Sequence, residues 1–294
     1  MPLTFDLDRK RAALEKSIRG LGRALVAYSG GVDSAFLAWE MRHVLGSEML
    51  AVIADSPSLA RSQLADAVKF AAEQHISLEV IATSEFERPE YVRNDGFRCF
   101  HCKDELFAVM EKICQERGFH SIAYGVNADD QVDFRPGQIA ARQHGIAAPL
   151  LEAGLTKQEI RELARQAGLR IWDKPASACL SSRLEYGRPV TREALAVVEK
   201  GEDALRELGF RQFRVRHHGE IVRIEIAREE MERALSSQMA AEFTRIFKDL
   251  GFKFVTLDLE GFRSGSMNSV LRAERLLEGH SFDGVAGGGQ KRKR

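Results

Sequence analysis

Cysteine is scarce in this chain: four residues in 294, too few for a disulfide framework. Long apolar runs are missing too, and none approaches the roughly 20 residues a membrane-spanning helix needs. The first twenty residues, MPLTFDLDRKRAALEKSIRG, carry charges where a secretion signal needs an apolar core. Neither sign of charge is in excess. Lys+Arg and Asp+Glu both number 43, which argues against a nucleic-acid partner, because backbone binding leaves a basic surplus. No internal repeat is present. With 44% hydrophobic and 29% charged residues, global disorder is excluded as well. What remains reads as a cytoplasmic α/β protein with reduced thiols and no membrane segment. At roughly 100–200 residues per domain, the chain is long enough for two domains.

The first half alternates between two periodicities. Short β-type runs occur at Arg23–Tyr28, Met49–Ala54, Leu78–Ala82 and Ser121–Tyr124. Between them lie helical stretches at Ser34–Val44, at Ser58 to Glu73 (Ser58 as cap; Leu64, Val68 and Ala71 on one face) and at Asp104–Arg117. Such alternation implies a parallel sheet with helices on both faces, and ligands of such sheets sit at the carboxyl ends of the strands. Thr156–Ala167 is a further helix, with Thr156 and Glu159 as a capping box and Gly168 as its stop. From Trp172 to Arg188 the chain is rich in small residues and Pro, and reads as a loop, with Trp172 packed at a domain junction. A smaller α+β unit follows: a helix over 192–208, strands over 213–217 and 221–227 joined at His218-Gly219, a helical region over 229–250 and a strand over 253–258. The expected division is 1–175, 176–280 and a Gly-rich, disordered tail, 281–294, ending in KRKR.

The chemistry concentrates at Ser29-Gly30-Gly31-Val32-Asp33-Ser34, between the first strand and the first helix. Glycines let the backbone turn tightly against a ligand, and a helix N-terminus presents unpaired N–H groups to an anion. Asp33 is the odd member. A carboxylate beside a phosphate is repulsive unless a cation bridges them, which points to Mg²⁺. The turn lacks the G-K-[ST] of a Walker A sequence. At the end of the fourth strand, Tyr124-Gly125-Val126-Asn127-Ala128-Asp129-Asp130 and Asp133-Phe134-Arg135-Pro136-Gly137 place carboxylates beside an arginine. They could orient a charged substrate, or be solvated loop acids paired with that arginine. In Pro175-Ala176-Ser177-Ala178-Cys179-Leu180-Ser181-Ser182-Arg183, a cysteine sits among small residues with Arg183 near enough to stabilise a thiolate. Cys179 is therefore a candidate nucleophile, and otherwise a small buried residue. Arg214 and Arg216 alternate on a strand and share a face. They suit a phosphate, or are exposed strand charges. His217 and His218 read as turn residues, and Arg263 reaches an anion or caps a turn.

The Ser29–Ser34 turn resembles the PP-loop of the N-type ATP pyrophosphatases, which have the adenine nucleotide alpha-hydrolase-like fold. The resemblance implies cleavage of ATP between its α- and β-phosphates, with pyrophosphate held on the turn and adenine near Asp55. The whole set, SGGVDS, RCFHCK, YGVNADD, DFRPG and PASACLSSR, resembles the LarE family of ATP-dependent sacrificial sulfur transferases. Arg214–Gly219 and Gly261–Asn268 extend the likeness into the second half. It implies adenylation of a carboxylate of pyridinium-3,5-biscarboxylate mononucleotide, attack by the Cys179 thiolate, and Cβ–S cleavage. Sulfur stays on the product and dehydroalanine on the enzyme, one sulfur per chain. The implied substrate- and phosphate-binding set is Asn127, Asp130, Arg135, Ser182, Arg183, Arg214 and Arg216. ATP, Mg²⁺, a homo-oligomer and handover to a nickel-insertion protein in nickel-pincer cofactor synthesis are implied with it.

Some relatives hold an iron–sulfur cluster on three cysteines. Residues 180–294 contain no cysteine, so a cluster built from Cys179 and later cysteines is impossible. Cys99 and Cys102 remain open as a structural pair, a divalent-metal or cluster site, or a redox pair. For a zinc site, His101, His120, His144 and Cys114 are the nearby further ligands. Three other readings follow from the same motifs: an RNA thiolation enzyme using Cys99 and Cys102, an ammonia-dependent amidoligase, and a nucleotide-binding regulator without turnover.

Overall fold

A computed structural model describes residues 2–131, 136–175 and 178–263, with side chains from residue 6 onward. Among these are helices α1 (Pro2–Gly20), α2 (Val32–Leu45), α3 (Arg61–Glu73), α4 (Pro89–Val92), α5 (Arg98–Arg117), α6 (Pro136–Gln143), α7 (Pro149–Glu152), α8 (Lys157–Gln166), α9 (Arg192–Glu207), α10 (Met231–Ala234) and α11 (Ser237–Asp249). The strands are β1 (Ala24–Ala27), β2 (Met49–Asp55), β3 (Leu78–Ala82), β4 (Ser121–Tyr124), β5 (Phe213–His218), β6 (Ile221–Ile226) and β7 (Phe254–Leu257).

The first four strands form one parallel sheet in the order β3-β2-β1-β4. All four residues of β1 are buried, as a central parallel strand covered on both faces must be. Leu14, Phe36, Leu37 and Ile53 pack on one face; Leu25, Val52, Phe107 and Met110 pack on the other. The chain leaves β1 toward β2 and later returns to β1's other side as β4, so the topological switch point lies between β1 and β4. The crevice at their carboxyl ends is where such a sheet binds ligands.

The second sheet, β5-β6-β7, pairs β5 with β6 antiparallel and β6 with β7 parallel. Its core takes Val215, Val222, Ile224 and Phe247, together with Tyr91, Leu180 and Leu184 from outside the sheet. The expected α/β class with a smaller α+β unit is the observed one.

Several local expectations are corrected. Helix α1 was not expected, although Leu14 and Ile18, four residues apart, are both fully buried. Helix α5 begins at Arg98 rather than Asp104, so Cys99 and Cys102 are helical. The Asp95 carboxylate accepts from Phe97 N–H (2.8 Å) and starts the helix early. Ser58 does not cap α3; Ala60 stands there, because the Ser58 hydroxyl is bonded to that of Tyr91. Gln63, Ala67, Phe70 and Ala71 form the buried face of α3, while Val68 is 41% exposed. His217 and His218 belong to β5, and the turn falls at Gly219, whose φ is +70°. Residues 170–173 and 180–183 are 3₁₀ turns within the expected loop. Trp172 is 43% exposed rather than packed. The helical region 229–250 is broken into α10 and α11. Arg135, residues 264–268 and the tail 281–294 lie outside the described residues.

Candidate active site

Both strand ends at the switch point carry the expected motifs. After β1 the chain turns through Gly30 (φ +71°), where a Cβ would meet the Ala67 Cβ at 2.7 Å. Helix α2 then starts with no side-chain cap, leaving its first N–H groups for a ligand. The loop is tied internally. Ser29 N–H donates to Ser34 Oγ (3.1 Å), which donates to the Gly31 carbonyl (3.1 Å). From α3, Gln63 Nε2 donates to the Ser29 carbonyl (3.1 Å).

From β4, Gly125 approaches α2 so closely that a Cβ on it would lie 2.7 Å from Ser34 N and 2.8 Å from Ser34 Cα. Both are backbone atoms and cannot step aside. Gly125→Ala is therefore expected to cost about 1–3 kcal/mol, as overpacking does. The measurement is a thermal melt, and a variant as stable as wild type would contradict this packing.

The fully buried Asn127 donates to Asp33 Oδ2 (3.1 Å) and accepts at Oδ1 from the N–H groups of Asp129 (3.0 Å) and Asp130 (3.3 Å). Asp130 in turn accepts from Asn127 N–H (3.2 Å). The two expected substrate residues thus hold Asp33. Asp33 Oδ1 is buried and has no hydrogen-bond partner among the described residues. Burial raises the Asp33 pKa above the usual carboxylate range, and nearby Asp130 adds to this, although Lys157, Asn127 and Arg161 work against it. A buried carboxylate oxygen with an open lone pair, beside free helix N–H groups, fits a cation-bridged anion. Lys157 and Arg161, at the start of α8, face this carboxylate and were not singled out in the sequence. The capping box that starts α8 at Thr156 was the available signal. Asp55, at the end of β2, pairs with Arg61 (2.5 Å) and is about half exposed.

A cleft of about 540 Å³ is lined by Gln63 from α3, by Ala178 and Leu180 on either side of Cys179, and by Arg183, Arg206 and Arg214 of the C-terminal unit. Gln63 links this cleft to the glycine turn. The Cys179 segment is fastened by Leu180 N–H donating to the Ser58 carbonyl (2.8 Å). Cys179 Sγ lies 3.1 Å from Ser181 Oγ. Burial acts to raise the Cys179 pKa. Arg98, Ser181, Arg183 and the Ser182 N–H outweigh it, and hold the thiol below its ordinary value.

The other expected arginines divide by role. Arg183 is buried and grips Glu202 bidentately (2.8 and 3.1 Å) while donating to the carbonyls of Ala178 (2.8 Å) and Cys179 (3.0 Å). Arg216 is buried, holds Glu225 bidentately (3.0 and 2.8 Å) and donates to the Ser182 carbonyl (3.1 Å). Ser182 Oγ donates to the Cys179 carbonyl (2.7 Å). These three shape the loop. Arg214 instead lines the cleft, over the Phe262 ring at 4.9 Å. Burial, with Arg183 beside it, brings its pKa down to about 10. A cation so placed gains from an anion in the cleft. Arg263 pairs with Glu260 (2.5 Å).

Cys99 is exposed, and Cys102 packs beside the second core. Burial pushes the Cys102 thiol up to about 12, with Cys179 adding to the shift. Among the described residues no group of three or more His, Cys, Asp or Glu is placed to hold a metal ion. His144, one of the expected zinc ligands, is instead bonded to Glu111 (2.8 Å) and Asp104 (3.1 Å). Among the described residues, the donors around Cys99 and Cys102 thus form no such group. No described helix is long and apolar enough to cross a membrane.

No family model matches the chain. It is 41% identical over 90% of its length to an uncharacterized protein of Synechocystis, covering 99% of that protein. It is 33% identical over 92% of its length to the pyridinium-3,5-bisthiocarboxylic acid mononucleotide synthase of Lactiplantibacillus plantarum, covering 98% of it. Over 53% of its length it is 28% identical to a glutamine-hydrolyzing GMP synthase component of Methanococcus vannielii, covering 53% of that protein. The likeness to the pyridinium mononucleotide synthase runs through both sheets and the Cys179 loop, and on it the chain belongs to the LarE family.

Proposed function

We propose that this chain is an ATP-dependent sacrificial sulfur transferase acting on pyridinium-3,5-biscarboxylate mononucleotide. The reading rests on the near-complete coverage of the named synthase. The observation that carries it into mechanism is the lowered Cys179 thiol, whose neighbours Ala178 and Leu180 line a cleft joined to the glycine turn. In this reading a substrate carboxylate oxygen attacks the α-phosphorus of ATP. The bond to the β-phosphate breaks, and pyrophosphate leaves onto the N–H groups of α2 and the Ser29–Ser34 turn, with adenine near Asp55. Mg²⁺ at Asp33 Oδ1 would neutralise charge between the carboxylate and the phosphates.

Cys179 Sγ then attacks the acyl carbon, and AMP leaves with the electron pair of the broken C–O bond. Loss of the Cα proton of residue 179 and cleavage of Cβ–Sγ leave dehydroalanine. Sulfur departs with the bonding electrons as the thiocarboxylate. Carboxylate, ATP and cysteine thus become thiocarboxylate, AMP, pyrophosphate and dehydroalanine. Arg214 would meet the mononucleotide phosphate. Ser182, Arg183 and Arg216 hold the loop, and Asn127 and Asp130 hold Asp33. Residues 1–175 serve adenylation and 176–280 sulfur transfer. Arg135 completes the substrate set. A homo-oligomer, a cytoplasmic setting and handover to a nickel-insertion protein belong to the same reading.

The RNA-thiolation alternative needs Cys99 and Cys102 as active thiols, and a Cys102 pKa of about 12 counts against it.

The test is product analysis with Mg-ATP and the mononucleotide. AMP, pyrophosphate and thiocarboxylate should form in equal amounts, up to one per chain. AMP without thiocarboxylate would sink the sulfur step. Arg214→Ala should raise the mononucleotide concentration that half-saturates the single-turnover rate about 10-fold or more, the loss of one charge-assisted phosphate contact. An unchanged half-saturating concentration would remove Arg214 from the phosphate site.

A further inference from the structure

The RCFHCK motif is not explained by its two cysteines, and its arginine faces inward. Arg98, the first residue of α5, is 3% exposed. Its guanidinium donates to Asn94 Oδ1 and to the Ser181 carbonyl (2.8 Å), lies 4.0 Å from Cys99 Sγ, and sits 5.7 Å from the Tyr186 ring centre. None of these partners is a carboxylate. The other two buried arginines among the described residues, Arg183 and Arg216, each hold a glutamate bidentately. A buried cation without an anion is costly. Ser181 joins Arg98 to the missing anion: its carbonyl receives the guanidinium, and its hydroxyl lies 3.1 Å from Cys179 Sγ.

We propose that Arg98 is the positioning residue of the sulfur donor: its guanidinium is the counter-ion of the Cys179 thiolate, and its bond to the Ser181 carbonyl fixes the loop that aims the sulfur. The proposal rests on the reading above in that Cys179 is the donor. The thiol proton passes to solvent before any substrate is attacked. Arg183, the charge expected from sequence to serve this role, is committed to Glu202 and reaches only the backbone of Cys179. Among the groups that pull the Cys179 pKa down against burial, Arg98 comes first and Arg183 is weaker. The other titratable groups around the sulfur are Tyr91 from α4, Tyr186 after the 3₁₀ turn, and Cys99 and Cys102 from α5. Burial raises Tyr91, Tyr186 and Cys102, which keeps those three uncharged at neutral pH.

The test needs neither ATP nor mononucleotide. Iodoacetamide alkylates the thiolate, forming an S–C bond and releasing iodide, and peptide mass spectrometry reads the rate at Cys179 alone. The rate is followed against pH for wild type, Arg98→Lys and Arg98→Met. Wild-type Cys179 should titrate below an ordinary thiol. Arg98→Met should react about 10-fold or more slowly at pH 7, as loss of one adjacent opposite charge dictates. Arg98→Lys, which keeps the charge, should recover most of the rate. A folded Arg98→Met protein with an unshifted profile overturns the proposal. If Arg98→Met does not fold, a wild-type Cys179 midpoint at or above that of an ordinary thiol overturns it equally. A shifted profile in a protein that fails to thiolate the mononucleotide would sink the sulfur-transfer reading and leave Arg98 in place. The reverse pair of results would do the opposite.

Discussion

Cys179→Ala should release pyrophosphate in the first turnover, keep the AMP moiety bound as the acyl-adenylate, and form no thiocarboxylate at all. The two halves of the proposed reaction use different parts of the fold. In that reading adenylation draws on the switch point between β1 and β4, where the α2 N–H groups and Asp33 sit. Sulfur loss draws on the turn after Cys179, which is tied to Ser58, Arg183 and Ser182 through backbone groups that alanine preserves. Alanine therefore keeps the loop and removes only the sulfur. Sulfur transfer should fall to the detection limit while the melting temperature stays within the range of a surface change. If the variant still produced thiocarboxylate, the sulfur would come from elsewhere, and Cys99 would be the first thiol to map.

Asp33→Asn should separate stability from activity in the opposite sense. The folded protein holds Asp33 with a raised pKa because burial disfavours its charge. A carboxyl group whose pKa is higher folded than unfolded opposes folding once pH exceeds the unfolded value, and increasingly so up to the folded value. Asparagine removes that charge, so the variant should melt at or above the wild-type temperature at pH 7. Catalysis should suffer, because the open Oδ1 no longer carries charge toward the cation and phosphates. A fall of about 100-fold or more in pyrophosphate release is expected, the scale of losing one preorganised electrostatic group. Lower stability with retained activity would show that Asp33 is structural.

The parallel-sheet half was the more legible in sequence, for a physical reason. Parallel strands rich in apolar and β-branched residues leave short apolar runs, so β2, β3 and β4 fall within a residue of their expected limits, although the edge strand β3 is only partly buried. The capping box at Thr156 and Glu159 is local chemistry, and both of its bonds are present. The glycine turn was readable because its backbone needs glycine itself: Gly30 has φ +71° and no room for a Cβ against Ala67. Long-range partners were hidden. Val68 looked apolar enough for the core, yet α3 turns Gln63 inward because its amide meets the Ser29 carbonyl. Arg183 stands four residues from Cys179 and seemed its natural counter-ion. The competing Glu202 lies 19 residues farther along, on α9, and only the fold brings it there. Arg98 stands 81 positions before Cys179, so no spacing rule could connect them. Asn127 and Asp130 were expected to meet substrate, and their bonds toward Asp33 depend on the approach of β4 to α2 across Gly125.

The most direct test is intact-protein mass spectrometry with peptide mapping after incubation with Mg-ATP and the pyridinium biscarboxylate mononucleotide. The account expects the chain to lose the mass of H₂S at residue 179 alone, in step with sulfur gained by the product. AMP, pyrophosphate and thiocarboxylate formed by a chain whose Cys179 peptide keeps its mass would contradict it.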